Sequence, residues 1–305
     1  MMQKFPAFIF RVPVLYAAVA VVGVLMFDVG DMIATAQLKT LNRLRYPEMT
    51  EVAVFAENPQ AGDFQKLEKH WFYYKKVSQF LPKETDHIGL WGFCSFYLGK
   101  YDEAVKAYKM ALKQAPGFFW FHHNLGIVYY HQKNYVLAAE HFHQALASDP
   151  NLSIQFILAS RRLYLPMIFA QTKDVEAKVK GDLKQGYEDV QKLLVKSYEA
   201  AGEYKEMVAA AQSAITRSEA DRAFFFYYAG VAELKLGRYP QALAFLKQAA
   251  DLQPENPEVF EQLAAVVKQM GNQVLAQQFM AMESERRQSF PQSSFDINNI
   301  QLQPY

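Results

Sequence analysis

The sequence predicts an all-α solenoid of helical hairpins preceded by one N-terminal transmembrane helix. Three observations carry this prediction. A pattern of small and aromatic residues is written twice, 34 residues apart, between Gly89 and Pro150; a further full copy lies near residues 223–256; and an uninterrupted apolar run extends from Val12 to Phe27. A repeat of that length decides the fold before any local propensity does.

In the first copy the pattern reads Gly92, Gly99, Tyr101, Ala104, Tyr108, Ala111, Pro116, and in the second Gly126, Tyr135, Ala138, Phe142, Ala145, Pro150, with Asn134 in place of the second glycine. The third copy supplies Gly230, Tyr239, Ala242, Ala249 and Pro254. Within each copy the apolar residues recur at helical spacing in two blocks split by a turn such as GKYDEA or KNYVLA, giving two antiparallel helices. Small residues sit where one helix closely approaches its partner, aromatics fill the wedge this opens, and the prolines stop the second helix. The pattern resembles the tetratricopeptide repeat family, most strongly over residues 85–152 and 223–256. The resemblance implies a right-handed superhelix of hairpins whose concave groove, lined by the first helix of each hairpin, binds peptides or protein surfaces.

In chain order, residues 1–32 form the expected membrane anchor. The run from Val12 to Phe27 makes about 24 Å of helix at the ordinary rise, and residues 7–27, with Arg11 snorkelling, bring it to bilayer length. A cleaved secretory signal is the competing reading, because Ala34-Thr35-Ala36 has a small-x-small form, although it lies seven residues beyond the run. Lys4 and Arg11 before the run and Asp28 and Asp31 after it favour a cytoplasmic N-terminus and a periplasmic or otherwise extracytoplasmic repeat domain, against Lys39, Arg43 and Arg45.

Residues 33–62 read as a membrane-proximal helix and connector, and residues 63–287 as the repeat array. The array has a degenerate start at 63–84, clear repeats at 85–152, a divergent stretch at 153–187 and recovered repeats at 188–287. The divergent stretch is expected to form a hairpin with a helix kinked at Pro166, and Ile154 to Phe169 is an alternative docking element. Residues 288–305 are polar and proline-containing, which predicts a flexible tail.

With 305 residues, 51% of them hydrophobic, and a formal net charge of +1, the chain can build a large core and has no field that selects nucleic acid. Cys94, the single cysteine, lies among aromatics and reads as a packed thiol. His122, His123, His131, His141 and His143 cluster in sequence, but no pair has the three- or four-residue spacing of a helical metal site. No phosphate loop, nucleophile elbow or dinucleotide fingerprint occurs, so no enzyme, cofactor, metal or small-molecule substrate is expected.

The family resemblance places Phe93, Tyr97, Trp120, His123, Asn124, Ile127, Tyr130 and His131, with Phe224, Tyr227 and Tyr228, on the groove. Asn124 matches an asparagine of the subgroup that clamps a C-terminal carboxylate, but Gly89 and Phe93 stand where that clamp needs Lys and Asn, so an apolar or aromatic ligand is favoured. The expected function is a membrane-anchored scaffold or adaptor that binds protein partners and supports assembly of a membrane or envelope complex. Two alternatives are a permanent subunit docked by its convex face, residues 154–169 or the tail, and a secreted ligand- or metal-binding protein.

Overall fold

Hairpins of constant length form because glycine and alanine let paired helices touch. The computed structural model describes residues 52, 63–159, 174–217, 219, 221–289 and 302; the expected anchor at 1–32 and Pro166 lie outside them. Among the described residues no helix is long and apolar enough to cross a membrane. Twelve α-helices and no strand are described. They are α1 (Phe64–Phe80), α2 (Thr85–Tyr97), α3 (Tyr101–Gln114), α4 (Phe119–His131), α5 (Tyr135–Ala147) and α6 (Pro150–Ala159). The second half comprises α7 (Val175–Ala201), α8 (Tyr204–Arg217), α9 (Arg222–Lys235), α10 (Tyr239–Leu252), α11 (Pro257–Gln269) and α12 (Gln273–Ser289).

The repeated small residues hold the hairpins closed. A Cβ on Gly92 would lie 2.8 Å from Tyr108 Cζ, one on Gly126 2.5 Å from Phe142 Cε1, and one on Gly230 2.6 Å from Leu246 Cγ. Ala104, Ala111, Ala138, Ala145, Ala242 and Ala249 are fully buried opposite them. Pro116 and Pro254 follow α3 and α10, whereas Pro150 opens α6, a first-turn position that needs no N–H. The period shows directly in one bond: the Phe119 N–H donates to Ser153 Oγ at 3.1 Å, from the start of one repeat to the start of the next.

The array is locked at its beginning by Glu103 of α3. Its carboxylate accepts from Trp71 Nε1 of α1 at 3.2 Å, Trp91 Nε1 of α2 at 3.3 Å and Lys75 Nζ at 2.8 Å. Partial burial raises the carboxyl pKa, but these donors outweigh it and hold the group below its ordinary value.

Two features depart from the sequence expectation. The left-handed residue in the turn between α4 and α5 is Lys133 at φ 61°, the counterpart of Gly99 at φ 70°, so Lys133 and not Asn134 replaces the glycine. The second is α7, a single 27-residue helix that runs straight through position 187, where a divergent stretch was expected to give way to a regular repeat. Its buried stripe, Val175, Val179, Leu183, Gly186, Val190, Leu193, recurs every three or four residues. Gly186 lets α7 cross α4, since a Cβ there would meet Trp120 Cη2 at 2.6 Å. Tyr187 stacks on Phe119 with centroids 4.5 Å apart and donates to the Ser148 carbonyl at 2.6 Å.

First helices touch first helices: α2 meets α4, α4 meets α7, α7 meets α9, and α9 meets α11, while second helices α3, α5, α8 and α10 pack on their own partner and the next first helix. The first helices therefore form the inner layer of a curved stack.

Histidines are part of the packing. His122 donates from Nε2 to the Pro116 carbonyl at 2.9 Å, leaving Nδ1 to accept from His141 Nδ1 at 3.2 Å, and His141 stacks on Tyr129. Burial lowers the pKa of His122; it lowers His123 to about 4 against the raising bond to Asn124, and His141 to about 4 with help from His122 and Lys109.

Three predictions follow from this packing. Gly126→Ala will lower unfolding stability by roughly 1–3 kcal/mol despite alanine's better helix propensity, whereas Gly181→Ala, where no atom lies within 4 Å, will raise it by up to about 1 kcal/mol; urea titration of both variants reads the opposite signs. Lys133→Gly will stabilise the chain by about 1 kcal/mol by removing a left-handed non-glycine residue. Because the native pKa values of these histidines lie below the ordinary 6.5, the unfolded chain binds protons first as pH falls. Stability is thus full above about pH 6.5 and declines toward pH 4. His141→Gln, which keeps a donor for His122, will flatten the decline in urea midpoints between pH 6.5 and 5.

Candidate functional site

Burial sorts the residues expected on the groove into two sets. Phe93, Trp120, His123, Asn124, Ile127 and Tyr228 are buried, Phe93, Asn124 and Ile127 completely. Tyr97, Tyr130, His131, Phe224 and Tyr227 are half-buried and reach the surface. The physical reason lies in α4, which packs against α2, α3, α5, α6 and α7 and is buried from Phe119 to Tyr129. Trp120 is a core residue beneath α7, not a groove anchor. Asn124 is equally committed: its Nδ2 donates to Tyr108 Oη at 3.2 Å and its Oδ1 faces His123 Nδ1 at 2.9 Å, so it is not placed to clamp a carboxylate.

What remains at the surface is the C-terminal ends of α2 and α4 and part of the first half of α9. At the end of α2, the Phe96 ring lies 5.1 Å from Tyr97, 5.6 Å from Tyr101 and 5.0 Å from His131 of α4. Tyr130 sets its ring edge on Tyr135 at 5.0 Å. A second patch belongs to α9, where Tyr228 lies 4.5 Å from Phe224 and 4.9 Å from Tyr227. Lys196 Nζ of α7 donates to Tyr228 Oη at 3.2 Å, sits 4.8 Å from that ring and pairs with Glu199.

Carboxylates border the α9 patch. Burial first, then Glu199, Glu258 and Tyr130, raises the Tyr228 pKa; burial, Glu258, Tyr228, Glu199 and Glu261 raise that of Tyr227. Both phenols, like Tyr97, which burial also raises, keep their protons at neutral pH. The face therefore offers hydroxyls that donate and accept, set among rings and bordered by carboxylates.

Three features were missed by sequence reasoning. Leu302, in the tail expected to be flexible, is fully buried in the same core cluster as Phe93, and its N–H donates to Tyr97 Oη at 3.2 Å. Glu84, Asp86 and His87 bring three ligand-type atoms within 4.8 Å at the start of α2. The Asp86 carboxylate also accepts from the His87 N–H at 2.9 Å, a placement that the positive end of a helix favours. A cleft of about 370 Å³ between α5, α7 and α8 is lined by His143, Gln191, Tyr198, Glu206, Ser213 and Arg217. The buried Gln191 Oε1 has no hydrogen-bond partner among the described residues. The cleft owes its shape to the long α7, which no repeat spacing announces.

Comparison with known proteins agrees with the fold. The family model described as "TPR repeat" matches residues 95–133 and 230–271, and that described as "Tetratricopeptide repeat" matches residues 119–152. No curated protein sequence matches the chain. Among solved structures, a MamA protein superposes with a TM-score of 0.50 at 16% identity, covering 70% of this chain and 99% of its own. YrrB, described as a TPR protein with an unusual peptide-binding site, gives 0.49 at 12% identity, covering 70% of this chain and 92% of its own. Hairpins closed at glycine and an inner layer of first helices agree with these matches, so residues 95–152 and 230–271 carry tetratricopeptide repeats.

Proposed function

We propose that the chain is a membrane-anchored, non-catalytic scaffold that captures a protein partner on the inner face of its repeats and supports assembly or stability of a membrane or envelope complex. One observation carries the reading: Tyr97, Tyr130 and His131 at the ends of α2 and α4, and Phe224 and Tyr227 in the first half of α9, stay partly exposed on helices that are otherwise sunk in the core. Aromatics with a polar tip give large contact area at low entropic cost and are the common anchors of protein interfaces.

The membrane part of the proposal rests on the apolar residues 7–27, with the N-terminus in the cytoplasm and the repeats outside it. Such a tether confines the groove near the bilayer and gives an effective concentration of about a millimolar toward other membrane components. Weak individual contacts then suffice for capture.

The test is crosslinking in native membranes followed by recovery of the full chain. Tyr130→Ala combined with Tyr227→Ala will cut recovery of the attached partner at least about tenfold, as two interface anchors of about 1–2 kcal/mol each would give, with the thermal midpoint within a few degrees of the parent. Unchanged recovery at unchanged stability rejects the groove. Deleting residues 1–32 will release the chain from the membrane pellet; a chain still pelleting after that deletion rejects the anchor.

A further inference from the structure

The contact between Leu302 and Tyr97 joins residues 205 positions apart. Leu302 has no exposed surface and belongs to the cluster that holds Phe93, Tyr74 and Cys94, with Tyr97 packed against it. It also gives its backbone N–H to the phenol oxygen of Tyr97 at 3.2 Å. An aliphatic side chain in a pocket plus a main-chain donor on a fixed acceptor is how an extended peptide is held.

The pocket is prepared for that role. Tyr97 is fixed by Phe93 and Phe96, with ring centroids at 4.8 and 5.1 Å. In the same cluster the Tyr108 phenol is bonded to Asn124, which is in turn bonded to His123. The acceptor is therefore held by its ring contacts and does not have to be ordered by the incoming segment. From Ser289, where α12 ends, Leu302 is 13 residues on, a tether of at most about 45 Å.

We propose that the inner face at Tyr97 is a peptide site for an aliphatic residue with a free backbone N–H, and that Leu302 of the chain's own tail occupies it as an intramolecular placeholder. This deepens the groove reading and rests on it for the identity of the competitor. A partner segment of the same chemistry binds by displacing the tail. A tether of this length presents Leu302 at about a millimolar. A tail with an intermolecular Kd of about 0.1 mM would then weaken a competitor's apparent affinity roughly tenfold.

The test uses a fluorescently labelled peptide of residues 295–305, titrated by anisotropy against the full chain, a chain ending at Ser289, and the full chain carrying Leu302→Asp. The peptide will bind both variants at least about tenfold more tightly than the parent. A peptide carrying Leu302→Asp will bind none of them, and Tyr97→Ala in the shortened chain will abolish binding while circular dichroism is unchanged. Equal affinity for parent and shortened chains, or no binding to either, overturns the proposal. A photoreactive residue at position 302 separates own tail from second copy: crosslinks to the α2 peptide within one chain support the assignment, and chain-to-chain crosslinks overturn it. If the peptide fails while partner recovery still depends on Tyr130 and Tyr227, the tail assignment falls and the groove stands.

Discussion

The structure depends on the close approach of paired helices at a glycine lying under a large side chain. Gly92 beneath Tyr108, Gly126 beneath Phe142, Gly230 beneath Leu246 and Gly186 beneath Trp120 leave no room for even a methyl group. A hairpin of this size cannot bury its apolar face alone, so stability comes from neighbours stacked at the distance these contacts set. Close stacking also determines where function can reside. Helices packed this tightly on every side, as α4 is, have no free face, and only their ends meet solvent. The half-exposed aromatics are thus what remains after packing is satisfied.

The irregular part of the array obeys the same constraint with a different element. At 27 residues α7 spans about 40 Å, twice the 13-residue first helices. It crosses α4 at Gly186, packs along α5 and α6 and reaches α9. Its outer face is stabilised by i,i+4 pairs, Lys180 with Glu176 at 2.6 Å and Lys178 with Asp182 at 3.1 Å. The inner face is consequently split into the α2–α4 patch and the α9 patch, the latter held by Lys196 on Tyr228.

Much of the fold was legible because its determining contacts recur at a fixed spacing. Gly92, Tyr108, Gly126 and Phe142 could be read as packing partners since each appears twice in register. The left-handed position falls at Lys133, one residue before Asn134, and lysine, which rarely adopts that backbone, gives no sign of it in the sequence. Trp120 was misassigned for another reason. Whether a first-helix residue faces the groove or the core depends on what lies across it, and α7 comes from a stretch so polar that its single buried stripe was hidden. Leu302 carries no signal at all, since a lone leucine in a polar tail has neither period nor neighbours to betray a contact 205 residues away.

The chemistry of the exposed face argues for the kind of partner it can hold. Its hydroxyls are protonated phenols, and the Tyr227 and Tyr228 pair sits in the field of Glu199, Glu258 and Glu261. Lys196, the cation that touches these rings, already pairs with Glu199. A partner bringing a free carboxylate to these phenols would meet like charge, at a desolvation cost that rises with burial. An uncharged segment with aliphatic or aromatic side chains meets no such penalty, because a phenol can accept from its backbone N–H or donate to its carbonyl as the register requires. The burial of Asn124 in the core has the same consequence. The one residue suggestive of carboxylate recognition helps to hold Tyr108 in place, which leaves the inner face suited to apolar, extended chain.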